Sequence, residues 1–264
     1  MTLVQSISVI QEIFAFLLGG CLGSFYNVVI HRLPHRMSLV HPRSHCPLCG
    51  KTIAAYDNIP VLSYLILGGK CRYCKAGISI RYPLVEALSG IIALLLFRRY
   101  GVHPQFAVEF IFVSILIIIA FIDLDTFLIP DVLSVPGIVL GFLFSFITPR
   151  LSWTDSLVGI FIGGGLLYLI AEIYARVRHK DGLGGGDIKL LGMIGAFLGW
   201  PGVLFTIMIA SVSGMIIALP IMWRSGKGLG AAIPFGPFLS FGAVCYVFWG
   251  RLFCQWYFTD LLGM

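Results

Sequence analysis

From Phe110 to Ile122 every residue except Ser114 is apolar, and runs of this kind fix most of what the chain can become. In hydrocarbon a backbone must satisfy its own hydrogen bonds, which a helix does within one segment. Stretches long enough, or nearly long enough, to cross a bilayer recur at 7–30, 83–97, 106–122, 129–148, 154–177, 188–200, 202–222 and 233–257. They predict an all-α polytopic membrane protein of about eight transmembrane helices. The second, third and sixth are short and draw on flanking residues for their length. With 58% hydrophobic and 11% charged residues, the chain is far from the balance of a soluble domain.

The net charge of +6 could invite nucleic acid, but the basic residues fall between the apolar spans, so membrane topology accounts for them and no nucleic-acid partner is expected. The loop from His31 to Tyr82 carries Arg32, Arg36, Arg43, Lys51, Lys70, Arg72, Lys75 and Arg81; later loops on the same side add Arg176, Arg178, Lys180, Lys189, Arg224 and Lys227. Only Arg98, Arg99, Arg150 and Arg251 fall on the other side. The positive-inside rule places the richer side in the cytoplasm and both termini outside. The first twelve residues hold no Lys or Arg, so a cleavable signal peptide is not expected and the first span reads as a retained helix.

Residues 31–82 form the one sizeable soluble piece, between a first helix (1–30) and the remaining membrane core (83–264). It holds Cys46-Pro-Leu-Cys49 and Cys71-Arg-Tyr-Cys74 with twenty-one residues between the pairs. Two such knuckles can place four thiolates on one structural Zn²⁺, a reasonable staple for a loop with little core of its own. A redox role is less well supported, because no thioredoxin-like βαβ pattern surrounds either pair, and disulfides are disfavoured in the cytoplasm. His41 and His45 read as solvated loop residues. Cys21, Cys245 and Cys254 lie in or beside apolar spans and read as small packing residues.

Two acidic segments stand out. Asp123, Asp125 and Asp131 cluster at the cytoplasmic end of the third and fourth spans. Asp131 follows Pro130 and fits a first-turn charge, whereas Asp123 directly follows the apolar run and sits deepest. Residues two apart point in different directions on a helix, so Asp123 is the better candidate than Asp125 to face the bundle interior. The second segment is Gly182-Leu183-Gly184-Gly185-Gly186-Asp187-Ile188-Lys189. Asp187 alone could be a helix cap. Yet the topology brings Asp123 and Asp187 to the same membrane boundary, where two partly desolvated acids share a proton. One can then act as base on water while the other protonates a carbonyl oxygen.

Together these residues resemble the bacterial type IV prepilin peptidases, GxGD membrane aspartyl proteases. The resemblance covers nearly the whole chain: Gly23-Ser24-Phe25-Tyr26-Asn27-Val28-Val29-Ile30-His31-Arg32-Leu33-Pro34, the paired CxxC knuckles, Asp57-Asn58-Ile59-Pro60, Arg81-Tyr82-Pro83-Leu84-Val85-Glu86, the Asp123 segment and Gly184-Gly185-Gly186-Asp187. Tyr26 stands where Leu is common in relatives. The resemblance implies Asp123 and Asp187 as catalytic residues in the bacterial inner membrane. It implies prepilin and pseudopilin substrates whose short basic leader is cut on the cytoplasmic side. It further implies N-methylation of the new terminus from S-adenosylmethionine, with Glu86 in the expected region.

Three finer expectations follow from physics. Gly184 and Gly186 leave backbone open for an extended substrate, and Lys189 helps to position it. Asp187, at a helix N-terminus and close to Lys189, is expected to be the charged member of the pair, with Asp123, at a helix C-terminus, the protonated one. Two rival readings stay open: an ion or metal transporter, for which no inverted repeat and no midplane acids are visible, and a non-catalytic zinc scaffold.

Overall fold

The computed structural model describes residues 3–178, 184–225 and 233–256. Among them no strand occurs, and the long elements are α1 (Leu3–Arg32), α3 (Arg81–Tyr100), α4 (Pro104–Thr126), α5 (Asp131–Phe144), α6 (Trp153–Arg178), α7 (Gly185–Ser225) and α8 (Gly236–Gln255). A short helix α2 (Leu62–Ile66) and a 3₁₀ turn at Ala55–Asn58 lie in the loop after α1. Among the described residues four segments are long and apolar enough to cross a membrane, namely Ser8–Arg32, Pro104–Thr126, Trp153–Tyr174 and Gly185–Pro220. The chain is therefore an all-helical polytopic membrane protein. It divides into two compact units, residues 1–118 and 119–264.

In the first unit α1 and α3 run antiparallel. Asn27 donates to the Tyr82 carbonyl at 3.1 Å, and at the other end Arg98 meets Glu12 at 2.7 Å. Glycines make the approach close: a Cβ on Gly19 would stand 2.6 Å from Ala93 Cβ, and one on Gly23 2.8 Å from Glu86 Cα. This small-xxx-small spacing is how helices come together where lipid offers no hydrophobic drive. Ser114, the one polar residue of the apolar run, is also accounted for. It donates to the Phe110 carbonyl and accepts from the Tyr26 hydroxyl, both at 2.6 Å.

The second unit is built on α7. Gly159 and Gly163 of α6 lie against the backbone of Gly195 and Leu191, and Gly141 of α5 receives Ala196 and Phe197. At Gly199 the backbone leaves helical geometry (φ 71°, ψ 179°) and Pro201 follows. Beyond it the chain turns back: Val203 reaches the same glycine, Gly163, that Leu191 meets. The stretches 185–198 and 200–225 are therefore two helices folded at one residue. This matches the expected break between 188–200 and 202–222, without a separate connecting loop. α8 then runs antiparallel to 200–225, with Gly242 against Thr206 and Gly214 against Phe238. The stretch expected at 129–148 is shorter as a helix. α5 stops at Phe144, where Ser145 and Thr148 turn their hydroxyls onto the Phe142 and Phe144 carbonyls.

Candidate active site

Asp123 lies in the last turn of α4 and is only 4% exposed, whereas Asp125 is exposed. The depth argument drawn from the sequence thus describes the burial of the two residues correctly. α4 ends immediately afterwards: Phe127 takes a positive φ of 56° and its N–H donates to the Asp123 carbonyl at 2.9 Å. A residue other than glycine in that conformation is uncommon and carries local strain. The chain then passes through Ile129 and Pro130 into α5.

Asp187 lies in the first turn of α7, half-buried, with its N–H donating to the Gly184 carbonyl at 3.1 Å. Residues 182 and 183 of the glycine run lie outside the described residues. The carboxylates of Asp187 and Asp123 are near enough to act on each other electrostatically. Ile129 links their surroundings. A Cβ on Gly186 would stand 2.8 Å from Ile129 Cβ, and one on Gly236 would stand 3.2 Å from Ile129 Cδ1 and 2.6 Å from Asp123 Oδ2. The Gly236 N–H donates to Asp123 Oδ2 at 2.9 Å. Three helix ends and one link therefore meet around this pair of acids.

Several expectations change in detail. The space left by Gly186 is taken by Ile129, so open backbone is found at Gly184 and Gly185, both exposed. Lys189 reaches Asp131 at 2.7 Å, tying the first turn of α7 to that of α5. The helix-end asymmetry between the two aspartates is also weaker than expected. Asp123 sits at the end of α4 but accepts an N–H from the first residue of α8, so both acids face a helix N-terminus, which favours negative charge. Gly236 was missed from sequence; the signal was Pro234-Phe235-Gly236-Pro237, with a proline in the first turn of α8.

Glu86 is engaged with protein: its Oε2 accepts the Val61 N–H at 2.8 Å.

The four cysteines come together. Cys46, Cys49, Cys71 and Cys74 place their sulfurs within 4.8 Å of one another, and Cys46 and Cys74 are 3.7 Å apart. Tetrahedral zinc with Zn–S bonds of about 2.3 Å sets its sulfurs about 3.8 Å apart, so the donor set fits. All seven cysteines are unbridged. The two knuckles are built alike, a local repeat that the sequence reading did not find. Cys46 and Cys71 donate to the Lys51 and Ala76 carbonyls at 2.9 and 2.8 Å, and Gly50 and Lys75 donate back at 2.9 and 3.0 Å. Gly50 and Lys75 both have positive φ, 69° and 59°. Isolated β-bridges His45–Thr52 and Lys70–Gly77 close the two loops. The N–H groups of Cys49 and Leu48 pull the Cys46 thiol down to about 6. At Cys74 the Ala76 N–H acts in the same sense, but burial and the sulfurs of Cys46, Cys71 and Cys49 push the thiol up to about 11. Arg72, inside the second knuckle, is fixed by Asp57, 2.8 Å from its Nε, and it holds the Asp57 carboxyl below the ordinary range.

Residues 17–100 match the family model described as Bacterial Peptidase A24 N-terminal domain, and residues 110–219 that of the Type IV leader peptidase family. A protein of Myxococcus xanthus (strain DK1622) named prepilin leader peptidase/N-methyltransferase is 39% identical over 215 residues, which is 81% of this chain and 64% of the relative. The chain thus spans just under two thirds of that protein's length. Two relatives of the same name are matched more fully. One from Burkholderia pseudomallei (strain K96243) is 34% identical over 92% of this chain and 87% of its own, and one from Aeromonas hydrophila is 33% identical over 94% and 93%. No solved structure matches the chain. With relatives above 30% identity along most of both chains, and family models matching both parts of it, the chain belongs to the type IV leader peptidase family.

Proposed function

We propose that this protein is a membrane-embedded aspartic endopeptidase that removes the short basic leader of type IV prepilins and pseudopilins on the cytoplasmic side of the bacterial inner membrane. The observation that carries the reading is that Asp123 and Asp187, from different helices, lie near enough to act on each other, with Ile129 and Gly236 packed against Asp123 and the start of α7. Burial of Asp123 beside a second carboxylate favours a state in which the pair holds one proton. The ionised member takes a proton from water as that water attacks the scissile carbonyl, and the protonated member donates to the carbonyl oxygen. The Gly236 N–H holds Asp123 in place during the exchange. Gly184 and Gly185 leave room for the extended segment of the substrate, while Gly186 and Lys189 position the start of α7 through Ile129 and Asp131.

In this reading all eight long helical stretches cross the bilayer, with both termini outside and the cysteine loop in the cytoplasm. Cys46, Cys49, Cys71 and Cys74 hold a structural zinc ion, which closes a loop that has little core of its own. The names of the relatives support a second activity, N-methylation of the newly exposed residue. S-adenosylmethionine would supply the methyl group there, at a site that no residue described above marks out.

The test is cleavage of a prepilin by the protein reconstituted in vesicles. Wild type and Asp125→Asn are expected to cleave, while Asp123→Asn and Asp187→Asn, present at normal levels, are expected to be inactive. Equal activity in all four proteins would sink the dyad and bring the transporter and scaffold readings forward.

A further inference from the structure

The segment 59–66 belongs by sequence to the basic loop, yet it packs against the helix pair α1–α3, of which α1 includes a candidate span. Pro60 Cβ is 3.3 Å from where a Cβ on Gly20 would stand, and the Val61 N–H donates to Glu86 at 2.8 Å. Gly20 lies twelve residues before the end of the span Ser8–Arg32, and Glu86 lies five residues into α3. At 1.5 Å per residue these positions are about 18 Å and about 7.5 Å along their helices. With the membrane surface at either helix end, the Pro60–Val61 turn would lie about 7 Å or more inside it, the depth at which interfacial helices bury their apolar face.

The backbone there is equipped for such a place. Irregular chain at membrane depth must satisfy its polar groups internally. Ile59 donates to Ser63 Oγ at 3.0 Å, Val61 to Glu86, Leu62 to the Pro60 carbonyl at 2.6 Å, and Ser63 to the Ile59 carbonyl at 3.1 Å; Pro60 has no N–H. The Leu62–Pro60 bond closes a γ-turn with Val61 at φ 61° and ψ −47°, a rare conformation, more so for a β-branched residue. Glu86 and Ser63 hold it from both sides. Immediately after it, Leu62, Leu65 and Ile66 occupy one face of α2 at the i, i+3, i+4 spacing, and they are 52%, 66% and 77% exposed. Large apolar side chains standing out at that depth would face hydrocarbon. Around them the loop offers exposed Lys51, Lys70 and Lys75, while Asp57, the one acid between residues 33 and 80, is taken by Arg72. That balance suits anionic headgroups.

We propose that residues 59–66 form a re-entrant element inserted in the leaflet on the side of the cysteine loop, with Leu62, Leu65 and Ile66 against acyl chains of an anionic bilayer and Glu86 as its anchor in α3. The inference needs only that the chain spans a membrane, and it stands apart from the peptidase reading. It is tested by placing the photocrosslinker p-benzoylphenylalanine at Leu65, at Ile66 and, for comparison, at the knuckle residue Leu48 (77% exposed). The full chain is reconstituted in vesicles of phosphatidylethanolamine and phosphatidylglycerol. Lipid adducts read by mass spectrometry are expected at Leu65 and Ile66 with a yield ~5-fold or more above that at Leu48, as hydrocarbon contact requires. Either of the two positions suffices if the other variant does not fold. Yields no higher than at Leu48, or crosslinks to polypeptide in place of lipid, would overturn the proposal.

Discussion

Gly236→Ala is the sharpest perturbation of the site, because it leaves every functional group in place and adds one methyl. The new Cβ would stand 2.6 Å from Asp123 Oδ2, 3.2 Å from its Cγ and 3.2 Å from Ile129 Cδ1. Ordinary carbon contacts lie at about 3.5 Å or more, so the Asp123 carboxylate must retreat by roughly 0.8–0.9 Å. The 2.9 Å bond from the Gly236 N–H then stretches past the usable range, removing a charge-assisted bond of about 1.5–3 kcal/mol. A displacement near 1 Å of a reacting group costs about 10²-fold in rate, or about 2.7 kcal/mol of barrier, so both routes give the same size of effect. The lost bond also lowers stability, and alanine as the better helix former offsets it by at most about 1 kcal/mol. The expected result is a ~10²-fold fall in the turnover number for leader cleavage, with a melting temperature in detergent lowered by only a few degrees and the protein still folded at the assay temperature. Adding Ile129→Val removes the Cδ1 that blocks the methyl from leaning away, and is expected to restore part of the rate. Turnover within about threefold of wild type in a folded Gly236→Ala protein would refute the claim that this amide positions Asp123.

Three further outcomes follow from the cysteine loop and its anchor. Zinc binding needs thiolates; Cys46 is already ionised above about 6, so it gives up no proton to zinc there but does so below. A plot of log zinc affinity against pH, from chelator competition on the full chain, is expected to steepen by about one proton as pH falls through 6; a constant slope would contradict it. Lys75→Gly relieves a positive φ of 59°, worth about 1 kcal/mol, so zinc release to a chelator should slow ~5-fold, and faster release would show that the Lys75 side chain matters more than its backbone. Glu86→Ala leaves the Val61 N–H without its acceptor, which costs about 1–3 kcal/mol, whereas Glu86→Gln keeps a carbonyl oxygen and should lose less; equal melting temperatures for the two would argue against the anchor.

The parts legible in the sequence were those carried by composition and by short motifs. Apolar run length gave the helices, paired CxxC spacing gave the cysteine cluster, and depth at the end of a run separated Asp123 from Asp125. What sequence could not show were relationships across distance. Gly236 reaches Asp123 from 113 residues away, and no local pattern announces which carboxylate an amide will meet. Lys189 lies two residues from Asp187 but spends its charge on Asp131, because a helix points neighbours in different directions. The spacing Gly159/Gly163 and Gly137/Gly141 was open to view, but its use in close helix approach depends on which partner arrives. The segment 59–66 reads as a soluble loop, and its contacts with Gly20 and Glu86 are again relationships that no local pattern announces.

The fold-back at Gly199 has one more consequence. The stretch 185–198 and α5 each have fourteen residues, about 21 Å of helix, against about 30 Å of hydrocarbon. Two adjacent helices that are both too short must either draw the lipid surfaces together or begin below one of them. In the second case Asp187, two residues into the first of these, would lie below the lipid surface, at the floor of a depression open to water. A dyad at such a floor keeps its hydrolytic water while staying level with the membrane-embedded part of any helix that slides up beside it. On the proposed peptidase reading bilayer thickness would then be a determinant of activity, and lipids with longer acyl chains should slow cleavage without touching a single residue of the protein.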